Sequence, residues 1–145
     1  DGAPDARPSP QVAQALDEAT LIAFGPSNPY LSIAPILAVP GVRRRIERAK
    51  VPRVAVSPII GGEAVKGPTA KLMREMGVEV SPVTVADHYR GLIDGLMLDR
   101  IDEDLTVPIR AMGTAVLTYQ TYMQTLDEKI DLAETLLNWA EDNLS

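Results

Sequence analysis

The chain has 145 residues, 46% of them hydrophobic, a formal net charge of −6 and no cysteine. That length supports one buried core, the acidic balance gives no general electrostatic reason to meet nucleic-acid phosphates, and the lack of thiols excludes a disulfide framework or a thiolate metal site. A reducing compartment fits this usage, with the cytoplasm as default; no apolar run reaches the ~20 residues of a membrane span, and no basic flank with a hydrophobic core marks a signal peptide.

Only six residues are aromatic, so aliphatic side chains must carry the packing, as they do where helices cover a parallel sheet. Residues 1–9 are proline-rich, begin without Met and read as a linker or approach segment of a longer protein. Ser9 then caps a helix over residues 10–18, with Pro10 at its first position. Residues 20–24 are a continuous apolar run, the pattern of a strand buried on both faces, and Gly25-Pro26 ends it. Residues 30–38 are apolar and stop at Pro40-Gly41, before a basic amphipathic segment over 42–50. Residues 53–57 form a second β-branched run that ends in small and polar residues.

Pro68 sits where a helix opens, and Gly77 closes that helix as its C′ residue. Residues 78–80 are expected to begin another extended piece. Helix is expected over 84–93, strand over 95–98, an acidic turn or short helix over 101–105, and a β-like stretch over 107–117 in which Pro108 limits pairing. The last helix, 126–143, carries Ile130, Ala133, Leu136, Leu137 and Ala140 as its apolar stripe. Strands alternating with helices define an α/β fold over residues 10–145, a mainly parallel sheet with right-handed crossovers.

In such sheets ligands bind beyond the carboxyl ends of the strands. Two loops fall there. In the first, Gly25 permits close approach, Ser27 and Ser32 offer hydroxyls and Asn28 an amide for phosphate or ribose oxygens; Ser27 and Asn28 could equally cap the next helix. In the second, Ser57 adds a hydroxyl, Gly61 and Gly62 let the backbone fold around an anion, and Lys66 before Gly67 is a point charge suited to phosphate. The G-x-x-x-x-G-K-[ST] order of a P-loop is absent, and a long turn with a solvated lysine is the alternative.

His88 is a candidate base, although a single histidine is more often a packing residue. The acidic set Asp94, Asp99, Asp102, Glu103 and Asp104 lacks the order of a calcium loop, and no G-x-S-x-G elbow supports a Ser-His-Asp triad. Arg43, Arg44, Arg45, Arg48 and Lys50 form a basic cluster that helical spacing spreads around most of a turn.

As whole phrases, GPSNPYLSIAPILAVPGVR from Gly25 and VAVSPIIGGEAVKGPTAKLMREMGVE from Val54 closely resemble the CofD family, the 2-phospho-L-lactate transferases. The likeness continues through VADHY and DGLMLD and more weakly through Thr121 and Met123. It implies a Rossmann-like core of which these residues are the C-terminal part, completed by the remainder of the polypeptide and compatible with a homodimer. It also implies transfer of a phosphoryl-linked three-carbon acid from a guanosine diphosphate carrier to the deazaflavin Fo with release of GMP, and the use of magnesium. Gly25, Ser27, Asn28, Ser32, Ser57, Gly61, Gly62, Lys66 and Gly67 would line the nucleotide and phosphate site. The family's glycine-rich turn and acidic metal ligands belong to its N-terminal half, so this segment alone is expected to be inactive. Where relatives often carry Thr-Asp-Thr-Leu-Met, this chain has Tyr119-Gln120-Thr121-Tyr122-Met123. The competing reading is a non-catalytic nucleotide-sugar-binding regulator of the same fold, whose relatives replace the Ser-Asn-Pro phrase with a Gly-Pro-Gly-Ser-type loop.

Overall fold

The computed structural model describes residue 2 and residues 5–144. Its centre is a four-stranded parallel sheet in the order β1 (Ile22–Phe24), β2 (Arg53–Val56), β5 (Gly95–Asp99), β6 (Ala115–Tyr119). A two-stranded antiparallel hairpin, β3 (Ile59–Ile60) and β4 (Glu63–Ala64), projects beyond the end of β2. The strand order runs one way across the sheet, so right-handed crossovers place the connecting helices on one face. These are α3 (Val42–Arg48), α4 (Thr69–Glu75), α5 (Pro82–His88) and α6 (Thr106–Ala111). There Val42, Ile46, Met73, Val85, Tyr89 and Ile109 bury against Ile22, Phe24, Ala55, Leu96, Leu98 and Val116.

The opposite face is closed by α7 (Leu126–Leu144), whose Leu132, Leu136 and Ala140 pack on Val54, Val56 and Met97. Gly95 is a requirement of that packing: a Cβ there would stand 2.5 Å from Cη2 of Trp139. Ile130 and Leu137, expected in the buried stripe, are instead 47% and 50% exposed, and Ala133 also faces outward. The buried line follows 132–136–140, a four-residue step that the apolar residues of the other side mask in sequence.

Ser9 caps α1 (Pro10–Glu18), its hydroxyl accepting the Val12 N–H at 3.3 Å. β1 is an edge strand covered on one face only: Ile22 and Phe24 are buried but Ala23 is exposed, because α7 does not reach over it. Residues 78–80 make no strand. The α4 helix closes in a Schellman motif, Gly77 N–H to Arg74 C=O at 3.0 Å and Val78 N–H to Met73 C=O at 3.0 Å, and Val78 and Val80 then pack on the core as irregular chain. α5 starts at the Ser81 cap and stops at His88, shorter than residues 84–93 suggested. The β-like stretch over 107–117 divides into α6, a turn at Gly113 with φ +86°, and β6. Pro108 is tolerated because it lies in the first turn of α6, where the N–H that proline lacks would have no partner within that helix.

Candidate functional site

All four sheet strands point the same way, so the loops after β1, β2 and β6 share one end of the molecule. They enclose a cavity of about 400 Å³. Ser27, Asn28 and Ser32 line it from the first loop, Ser57, Lys66 and Gly67 from the second. Thr121, Tyr122, Met123 and Lys129 supply a third wall, from the segment between β6 and α7. Family likeness reached Thr121 and Met123, but Lys129 gave no motif; its signal was its place in the first turn of the last helix, at the carboxyl end of a parallel strand.

The two ends of the Asn28 amide have different surroundings. Its Oδ1 accepts the N–H groups of Tyr30 at 2.9 Å and Leu31 at 3.0 Å, capping a π-helical turn (Pro29–Ile33) that runs into α2 (Ala34–Leu37). Its Nδ2 is buried without a hydrogen-bond partner among the described residues. A buried N–H donor left unpaired costs stability, so this end of the amide has a hydrogen bond left to give.

The Ser57 hydroxyl donates to the Ile59 carbonyl at 3.0 Å and accepts the Ile59 N–H at 3.1 Å, which fixes the turn out of β2. Gly25, Gly61 and Gly62 do not line the cavity. Gly61 and Gly62, with φ of +57° and +76°, are the two-residue turn joining β3 to β4, the type I′ arrangement that glycine favours. The Gly61 N–H points at Asp102, whose two carboxylate oxygens receive it at 3.0 and 3.2 Å. Hairpin geometry accounts for these two glycines.

Asp102 is buried in a 3-10 segment, Arg100–Leu105, and burial raises its pKa while the Gly61 N–H partly opposes that rise. Asp99 accepts the Thr121 N–H at 2.8 Å and its hydroxyl at 3.2 Å. The two carboxylates at the end of β5 thus brace the second and third walls. Among the described residues no three His, Asp or Glu side chains are grouped to hold a metal ion.

His88 lies outside the cavity. Its ring meets Tyr30 and Tyr89 edge-on, at centroid distances of 4.7 and 5.3 Å, and burial followed by Arg43 lowers its pKa. The basic cluster falls elsewhere again: Arg44, Arg48 and Lys50 line a separate cavity of about 480 Å³ between α1 and α3, where Arg45 pairs with Asp17. No helix among the described residues is long and apolar enough to cross a membrane.

Fold and cavity together define an α/β, Rossmann-like domain whose carboxyl-end loops converge on a cavity lined by lysine, serine, threonine and amide side chains. The chain belongs to the CofD family: the family model described as 2-phospho-L-lactate transferase CofD matches residues 1–136. A phosphoenolpyruvate transferase of Streptomyces coelicolor is 42% identical over 142 residues, 97% of this chain and 44% of the relative. The 2-phospho-L-lactate transferase of Methanocaldococcus jannaschii is 37% identical over 92% of this chain and 42% of its own length, and that of Methanococcoides burtonii 43% over 88% and 41%. The chain therefore spans less than half the length of these relatives. Among solved structures, protein BH3568 from Bacillus halodurans matches 92% of this chain and 48% of its own with a TM-score of 0.60 at 18% identity, a likeness of fold.

Proposed function

We propose that this chain forms the nucleotide- and phosphate-binding part of a CofD-type transferase. The enzyme moves a phosphoryl-linked three-carbon acid from a guanosine diphosphate carrier to the deazaflavin Fo, releasing GMP. The observation that carries this reading is the convergence of the loops holding Asn28, Lys66 and Lys129 on one cavity, with the Asn28 Nδ2 awaiting an acceptor.

In the reaction, a P–O bond forms from the acceptor hydroxyl to the phosphorus bearing the acid while the bridging P–O bond to GMP breaks. Charge gathers on the departing phosphate oxygens. Preorganised donors and cations aimed at those oxygens lower the barrier, and the Lys66 ammonium and the Asn28 amide are the groups in this chain suited to that work. Ser27 and Ser32 offer hydroxyls to phosphate or ribose oxygens from the adjoining loop. Magnesium belongs to the reading as an ion held by groups outside this chain. Soluble, cytoplasmic action fits the carrier and the cysteine-free composition.

The test is turnover by the intact protein with Fo, magnesium and the guanosine-linked acid, supplied in phosphoenolpyruvyl, phospholactyl and phosphoglyceryl forms. GMP and a phosphodiester product are expected from one of them. No turnover with any, or tighter calorimetric binding of a UDP-sugar than of GDP, overturns the reading in favour of a nucleotide-sugar-binding regulator.

A further inference from the structure

Lys129 stands in an acidic helix yet makes no ion pair among the described residues. Asp127, Glu128, Asp131 and Glu134 surround it in sequence, but helical ion pairs form at spacings of three and four. Those positions around Lys129 hold Thr125, Leu126, Leu132 and Ala133. Its immediate acidic neighbour is already committed: the Glu128 carboxylate accepts the Gln124 and Thr125 N–H groups at 2.6 and 2.8 Å, and Thr125 Oγ1 accepts the Glu128 N–H at 3.2 Å. This capping box fixes the start of α7 and with it the place of Lys129 on the cavity wall.

Lys66, on the loop after β2, likewise makes no ion pair among the described residues, whereas Lys71 nearby pairs with Glu75. The two lysines thus line one cavity from loops that follow strands separated by β5, a spacing of about 10 Å between strand ends that lies within the combined reach of two long side chains. One monophosphate needs one such cation; two on different walls, with an unpaired amide donor beside them, suit a chain of two phosphates.

We infer that Lys129 is a specificity-determining residue, the second cation of a clamp that makes the cavity prefer a nucleoside diphosphate over the corresponding monophosphate. The inference rests on the reading of this cavity as the nucleotide site. Lys129 is exposed and unpaired, so its replacement removes a charge without removing packing.

The experiment is calorimetric titration of the intact protein, as wild type, Lys66→Ala, Lys129→Ala and Lys129→Arg, with GDP and with GMP at two salt concentrations. Lys129→Ala is expected to weaken GDP about ten-fold or more, to leave GMP within about two-fold, and to reduce the salt dependence of GDP binding; Lys129→Arg retains most of the preference. Equal loss for GDP and GMP, or no loss, overturns the role of Lys129. Weakening by Lys66→Ala without weakening by Lys129→Ala defeats the clamp alone. Failure of the wild type to bind GDP defeats the site reading and the clamp together.

Discussion

Asp102 holds the backbone of Gly61 across 41 residues of chain, both carboxylate oxygens lying within 3.2 Å of one amide N–H. The bond ties the 3-10 segment after β5 to the hairpin that leads to Lys66, so a buried acid sets the height of an exposed loop. Its protonation follows from its burial. A carboxyl whose folded pKa is raised binds a proton in the native state after the unfolded state has released it. The contribution of Asp102 to stability is therefore largest below its unfolded pKa of 3.8 and declines as pH rises through the raised folded value. Asp102→Asn, which keeps an acceptor oxygen without the charge, should remove that decline, read as a flatter denaturant midpoint against pH from acid to neutral; an unchanged slope would assign it to other groups.

Asn28 separates its two duties by substitution. Asn28→Asp keeps the oxygen that accepts from Tyr30 and Leu31 but replaces the unpaired Nδ2 with negative charge. Thermal stability should hold within about 0.5 kcal/mol while GDP affinity falls at least ten-fold. Asn28→Ala should lose both, with about 1 kcal/mol of capping stability. Retained GDP binding in the Asp variant would make Asn28 a cap and nothing more.

At Gly95 the sheet and the last helix leave no room for a Cβ. With Trp139 at 2.5 Å from the site of a Cβ, Gly95→Ala must displace an indole packed on the sheet, at a cost on the order of 1–3 kcal/mol. Chemical denaturation of Gly95→Ala beside a Gly95→Ala/Trp139→Leu double variant should show partial rescue, since the smaller side chain relieves the overlap; additive losses would place the strain elsewhere.

His88 packs against two tyrosine rings. Its lowered pKa means that the native state resists the proton that the unfolded state accepts, so stability is lost as pH falls through 6.5 toward the folded value, with burial the larger cause and Arg43 the lesser. His88→Phe keeps a ring against Tyr30 and Tyr89 and should abolish that acid-side slope while leaving GDP affinity unchanged. A fall in turnover with binding and stability intact would instead make His88 a proton-transfer group.

Much of the fold was legible because its cues are local. Ser9 as a cap, Gly77 as a helix stop and the β-branched run from Arg53 each act within a few residues. Where local cues conflicted, the order of elements decided. Pro108 reads as a limit on strand pairing, yet it begins a helix because β6 has to start beyond Gly113 to align Ala115 with Gly95. The stripe on α7 was misassigned because both sides of that helix carry apolar residues, and only the position of Val54, Val56 and Met97 chooses which side is buried.

By itself the sequence determined the alternation of strands and helices, the two loops at strand ends and the family phrases, since each depends on neighbouring residues or on an unbroken string of them. The tertiary structure decided the membership of the site. It turned Gly61 and Gly62 into a hairpin turn held by Asp102, moved His88 into an aromatic packing contact, and brought Lys129 to the same cavity as Lys66, 63 residues earlier in the chain. The reason is that parallel strands gather their carboxyl-end loops whatever their separation in sequence, and no spacing rule along the chain records which of those loops will face one another.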